Sequence, residues 1–316
     1  MSWLIWRQHR NQAAVAGIAL GALAVILAIT GVHMASTYHA ALRTCGATGT
    51  CDSVGDGLFN GDGAIIDLVN FTVVVPLILG LFWGAPLLAR EIEEGTHTLI
   101  WTQSVTRRRW LASKTVVLLC ATALIGGVLA LAVTWWSRTL DLSQHNRFDK
   151  FDVQGIVPVA YAIFGAALGL AAGIVIRRTL SALAATLAIM VGLRIVIANY
   201  LRPHYMTPMT KLTSIAASNT GLSGSNLALH SQMVTGTGAN ISNNDLLSAL
   251  PGACSRYLGT TRAQVFSCLG SQGWQEKIIY QPANRFWAFQ VIESGIFLTL
   301  AAALVVIAFR CIRRDA

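Results

Sequence analysis

Three sets of residues in this chain have the types and spacing to do chemistry. The first is REIEEGTHTLIWTQSVTRRRWLASK, residues 90–114, in which Glu91, Glu93 and Glu94 come early and Arg107, Arg108, Arg109 and Lys114 come late. Acids first and bases last suit a helix dipole, and Ile92, Leu99, Ile100, Val105, Trp110 and Leu111 fall between them at roughly helical spacing. Long apolar runs flank both ends, so this charged, helically patterned stretch must lie at a membrane surface. The alternative is a solvated loop between two spans. A bare connection needs only a few residues, whereas this stretch is 25 long and patterned throughout. The second set is a pair of charges, Arg194 and Glu293, set inside long apolar runs. Buried membrane charges pair with one another or face a cavity, so the two are read as an intramembrane salt bridge joining the fifth and sixth spans. The sharper alternative places Glu293 in the path of a cationic substrate. The third set is four cysteines in two local pairs, Cys45 with Cys51 and Cys254 with Cys268. Their spacing is not that of a zinc site, and neighbouring pairs outside the membrane suit disulfides.

The elements that must position these residues are membrane spans. Hydrophobic residues make up 54% of the 316 and charged residues 12%, about half the charge of a soluble domain, and mean hydropathy is +0.57. The net charge of +9 does not mark a nucleic-acid binder, because the bases sit in short clusters at the ends of apolar runs as topology signals do. Aromatic residues do not interleave with them as on a single-strand platform.

Trp3, Trp6, Arg7 and Arg10 form a short interfacial foot. The apolar run from Ala13 to Met34 is then read as a retained first span rather than a signal peptide, being long enough to cross. Residues 35–65 are read as an external loop. The second span covers Ile66 to Ala89, kinked at Pro76 and Pro86, and the third covers Leu111 to Trp136. The fourth covers Val153 to Ile176, with Gly165, Gly169 and Gly173 on one close-packing face. The fifth runs from Thr179 to Tyr200 and the sixth from Phe286 to Phe309.

The fold class read from this pattern is an all-α integral membrane protein of six transmembrane helices, with both termini cytoplasmic and a large extracellular insert between helices five and six. In domain terms, residues 1–200 hold five spans with a charged cytoplasmic segment at 90–114, residues 201–286 form the insert, and residues 287–316 form the sixth span and tail. Helical patterning inside the insert falls at Asn243–Leu250 and Thr261–Gln275. Twelve bases lie in the proposed cytoplasmic segments (Arg7, Arg10, Arg90, Arg107, Arg108, Arg109, Lys114, Arg177, Arg178, Arg310, Arg313, Arg314) against four in the short external loops (Arg43, Arg138, Arg147, Lys150). That imbalance sets the orientation. Arg194 lies about 24 Å from the inner end of its helix and Glu293 about 10 Å from the outer end of its own, so both fall in the outer part of the bilayer. The insert is read as a lid folded around a Cys254–Cys268 bond.

Arg90-Glu91, Gly95-Thr96, the run Thr102-Gln103-Ser104-Val105-Thr106-Arg107-Arg108 and then Lys114 resemble the second cytoplasmic segment of type-2 ABC exporter permeases. This chain carries Ser104 where many members have proline. Tyr280-Gln281-Pro282, Arg285-Phe286-Trp287, Gln290 and Glu293 resemble the start of the last span in actinobacterial members. The resemblance implies that Arg90, Glu91, Glu94, Gly95, Thr96, Thr102, Arg107, Arg108 and Lys114 belong to a coupling helix seated on a separate ATPase. It implies a complex of two ATPase subunits with a second permease copy or a paralogue, in a bacterial plasma membrane. Lipophilic drugs, antibiotics or peptides are the implied substrates.

The chain has no GxxxxGK[ST] to cradle phosphates, and Leu222-Ser223-Gly224-Ser225-Asn226 touches the ABC signature only by coincidence. ATP and magnesium would therefore be bound by the partner, and no cofactor or catalytic residue is assigned to this chain. A membrane-embedded enzyme or a sensor with a functional external insert is the alternative reading. It would need a convergent polar site or a signalling domain, and the insert offers no clear nucleophile–base set.

Overall fold

The computed structural model describes residues 2–48, 63–95, 106–142, 147–215, 226–241, 250–255 and 262–314. The chain divides into two compact units. One comprises Met1–Ser143, Lys150–Ile195 and Gln290–Ala316, and the other Gln144–Asp149 and Val196–Phe289. Among the described residues, six helices are long and apolar enough to cross a membrane: Gly17–Thr44, Ile65–Glu91, Arg108–Thr139, Val157–Ile176, Thr179–His204 and Ala283–Ile312. Such helices satisfy their backbone polar groups internally, which is what a hydrocarbon environment demands.

The first helix runs Ser2–Thr48, so residues 35–48, expected in an external loop, are helical. The polar side chains there do not divert the backbone. Ser36 and Thr37 donate to His33 O at 2.7 and 3.0 Å, and Thr44 donates to Ala40 O at 3.2 Å, bonds made within the helix itself. Trp136 of the third span donates its indole N–H to Thr30 Oγ1 of the first at 3.0 Å. Around that bond Leu27, Met34, Ile66, Val69, Leu129 and Val133 are buried together.

The second span is broken twice. Helix Gly63–Phe71 tightens into a 3-10 turn at Thr72–Val74, resumes at Val75–Leu79, widens into a π-turn at Gly80–Gly84 and ends as helix Ala85–Glu93. Pro76 has no N–H to continue the ladder. The chain compensates by taking Val75 N–H back to Thr72 O, while Arg194 of the fifth span donates Nη1 to Val73 O at 3.1 Å. The π-turn falls just ahead of Pro86 and carries Ala85 N–H to Gly80 O.

The fourth span, Val157–Ile176, is the buried one, with Tyr161, Phe164, Leu168, Leu170 and Ile174 all enclosed. Its glycine face meets the second span backbone to backbone. A Cβ built on Gly80 would lie 2.6 Å from Gly165 O, one on Gly173 2.8 Å from Ala85 O, and one on Gly169 2.6 Å from Ala85 N. This is the small-residue packing that lets membrane helices approach closely.

The second unit corrects the all-α expectation. It holds an antiparallel sheet of β1 (Met209–Ser214), β2 (Leu227–Val234), β3 (Asn240–Ile241) and β4 (Gln275–Gln281), in the order β1-β4-β2-β3. β4 is central, with Lys211 opposite Ile278 on one side and Ser231 opposite Ile278 on the other. Ile215, Cys254, Leu269 and Trp274 form its small core. Of the two expected insert helices, Thr261–Gln275 is helical over Arg262–Ser271 and then turns through Gly273 into β4. Residues 243–249 of the other lie outside the described residues.

Candidate functional site

The charged stretch begins at the end of the second span. Arg90 donates Nε to Glu94 Oε1 at 2.7 Å on the exposed surface, and Gly95, at φ +71, ends the helix in the left-handed region that glycine adopts without strain. Thr106 then starts the third helix. Its O accepts Trp110 N–H at 3.1 Å, and its Oγ1 lies 3.4 Å from Arg109 N–H, an N-cap arrangement. Thr96 and Thr102 lie outside the described residues, as does the Arg107 side chain. Arg108 is exposed.

Glu91 and Lys114 do not share that exposure. They form an ion pair with each other, Lys114 Nζ to Glu91 Oε1, with side chains 7% and 16% exposed respectively. Lys114 also lies over the Trp110 ring, 4.8 Å from its centroid. Trp110 is buried with Leu88, Leu111, Leu170 and Ile174. Glu93, one of the early acids of the stretch but not among the residues assigned to coupling, has its own partner: Oε2 accepts both the N–H and the hydroxyl of Thr179, at 2.9 and 2.7 Å. Those two donors hold the Glu93 carboxyl below the usual carboxylate range. Thr179 opens the fifth helix, so a carboxylate from the second span caps its positive end. Arg177, at φ 59, makes the tight turn that brings Thr179 there.

The intramembrane charges Arg194 and Glu293 both gather at Tyr161. Arg194 pairs with Asp152 at 3.5 Å and lies 4.3 Å from the centre of the Tyr161 ring. The Tyr161 hydroxyl lies 2.9 Å from Asp152 Oδ1 and also hydrogen-bonds Glu293 Oε1. Glu293 and Tyr161 are buried. Sequence reasoning missed Asp152 and Tyr161. Asp152 sits at the mouth of a span, where charge is ordinary, and Tyr161 sits in VPVAYAIF, where an aromatic passes for packing.

Gln290, quoted above only as part of a resemblance, uses both ends of its amide. Oε1 accepts Ile156 and Val157 N–H at 3.0 and 2.9 Å, and Nε2 donates to Phe151 O and Gln154 O at 2.9 and 3.1 Å. Gln281 likewise donates to Met206 O at 2.6 Å and accepts from Arg285 at 2.7 Å.

Cys254 and Cys268 are disulfide-bonded, with Cα atoms 5.8 Å apart and a separation of 14 positions in sequence. Cys120 and Cys311 are free thiols, and the pairing of Cys45 with Cys51 is not described, since the Cys45 side chain and Cys51 lie outside the described residues. A bond closing a loop of this size contributes about 3 kcal/mol in the chain-entropy estimate, comparable to what a small core supplies. Reduction is therefore expected to open residues 201–286 to protease while the spans stay intact. Limited proteolysis with and without reductant checks this, and cleavage spread over every loop would contradict it.

Among the described residues, six helices long and apolar enough to cross a membrane, the fourth the most buried of them, define a multi-pass membrane protein. Residues 17–202, more than half of the chain, match the family described as ABC-2 membrane transporter related, and the chain belongs to that family. It is thus of the class of membrane permease subunits of ABC transporters. No curated protein and no solved structure matches the chain.

Proposed function

We propose that the chain is the permease half of an ATP-driven exporter and carries a lipophilic drug, antibiotic or peptide out of a bacterial cell. The observation that carries this reading is the family match over residues 17–202, which encloses a charged stretch rooted between the second and third spans. Residues 90–114 are the seat of a separate ATPase subunit, which binds ATP and magnesium. Exposed Arg90, Glu94, Arg108 and Arg109 have the mixed charge that steers such an encounter. Two ATPase subunits work with two permeases, the second being another copy or a paralogue. The termini and the 90–114 stretch face the cytoplasm, and the insert faces outward, as the distribution of bases directs.

The experiment is affinity purification of the full chain from membranes in mild detergent, followed by ATPase assays across a panel of lipophilic compounds. An ATPase subunit is expected to co-purify and to be stimulated by at least one compound. Purification of the permease without any nucleotide-hydrolysing partner, under conditions that keep its six spans folded, would remove the reading.

A further inference from the structure

The end of the second span holds two carboxylates that a docking partner would be expected to meet, yet both are already engaged. Lys114 is 7% exposed although Arg108 and Arg109, a turn or two earlier on the same helix, are exposed. A partner arriving from water cannot reach an ammonium in that setting. Nor can Glu91 leave it freely, because a buried charge stripped of its counter-ion is strongly destabilising. Glu91 is the last residue of the second span and Lys114 lies seven residues into the third helix, so their pair ties the second span to the third across the chain segment 94–106 that connects them. Two residues on, Glu93 binds Thr179 through both N–H and hydroxyl, and beneath it Ala85, Ala89 and Ala182 pack together. The roots of the second, third and fifth spans are therefore fastened at one place.

We propose that Glu91 and Lys114 are a clasp at the root of the coupling stretch: positioning residues that transmit its displacement to the second and third spans together, rather than contacts made with the ATPase. Glu93 extends the same fastening to the fifth span. Displacement applied between two unfastened helix ends is absorbed as they splay, whereas between fastened ends it is passed to both helices together. This rests on the reading that residues 90–114 seat an ATPase, and it deepens that reading by separating the residues that touch the partner from those that hand on its motion. Arg90, Glu94, Arg108 and Arg109, exposed, belong to the first group.

A charge swap distinguishes the two roles. The full chain is placed in lipid nanodiscs with the ATPase subunit that co-purifies with it, carrying Glu91→Lys, Lys114→Glu, or both. Apparent Tm and permease-dependent ATP hydrolysis are then read for each. Each single change is expected to lower Tm by roughly 5–10 °C and hydrolysis by about tenfold, and the double change to restore most of both. Restoration of Tm with hydrolysis left at the single-variant level would mean that these side chains contact the ATPase directly, which overturns the proposal. So would a double change that restores neither.

If the single variants do not accumulate, Glu91→Gln with Lys114→Met serves instead. Replacing a buried pair by groups of similar volume keeps a fold, so this variant is expected to fold and still to lose hydrolysis. Hydrolysis at the wild-type rate would reduce the pair to packing. Failure of any ATPase to co-purify would remove the proposed function and the transmitting role with it, while the Tm cycle would still decide whether the pair is a clasp.

Discussion

Gly169→Leu is expected to prevent the second and fourth spans from meeting, and Gly169→Ala to destabilise their contact clearly. The Cβ position at Gly169 falls 2.6 Å from Ala85 N and also against Gly80 O, both backbone atoms. A flexible side chain can turn away from such a contact, but two helix backbones can relieve it only by separating. Separation also loosens the neighbouring close approaches at Gly165 and Gly173, where an added Cβ would fall 2.8 Å from Pro76 O and 2.8 Å from Ala85 O respectively. Overpacking a tight site costs about 1–3 kcal/mol for added methyl-sized groups and more where the backbone must move, so the leucine variant is expected at or above the top of that range. Gly192→Ala in the fifth span is the control, because nothing lies within 4 Å of its Cβ position. In a helix interior alanine is better than glycine by about 1 kcal/mol, so that change is expected to be neutral or stabilising. Thermal unfolding of detergent-purified protein reads both, and equal Tm values for the two alanine variants would refute the close-contact account.

Which features the sequence made legible follows from how local their causes are. The spans were visible because about 20 apolar residues in a row admit little else, and the Gly165–Gly169–Gly173 face because its period of four residues lies within one helix. The end of the first helix was not legible. Ser36, Thr37 and Thr44 look like loop residues until their hydroxyls are seen to bond within the helix. The sheet was hidden for a different reason. β4 (QEKIIYQ) is short and half polar, and its partner β1 (MTKLTS) lies more than sixty residues earlier in the chain, so no window holds both strands. The charges of the 90–114 stretch stood out by type, but whether Glu91 faces outward or meets Lys114 depends on how two spans pack. Tyr161 could not be found by type at all, since its role comes from the Asp152, Arg194 and Glu293 that the fold brings to it.

Gln290→Leu is expected to release the start of the fourth span. A helix that begins in an apolar setting must find partners for its first N–H groups, and here each is accounted for. Val159 and Ala160 N–H reach Ile156 O at 3.2 and 3.4 Å, Pro158 has none to place, and Gly155 N–H reaches Thr134 Oγ1 at 3.0 Å. Ile156 and Val157 N–H both depend on Gln290 Oε1. On the other side of the same amide, Nε2 satisfies Phe151 O and Gln154 O, so one side chain from the sixth span serves four backbone groups. Gly155, at φ +76, is left-handed there, and any side chain on it would come within 2.7 Å of Gln290 Oε1.

Leucine matches glutamine in bulk but offers neither donor nor acceptor. Each buried backbone group left without its partner costs about 1–3 kcal/mol. With some relaxation the total is expected near 3–5 kcal/mol, which places this among the severe single changes and lowers apparent Tm by roughly 10 °C. Gln290→Glu separates the two halves of the network. The carboxylate keeps the acceptor for Ile156 and Val157 but turns oxygen toward Phe151 O and Gln154 O, so its Tm is expected between those of wild type and Gln290→Leu. A leucine variant within about 2 °C of wild type would show that those four groups find other partners, and that the sixth span does not hold the start of the fourth.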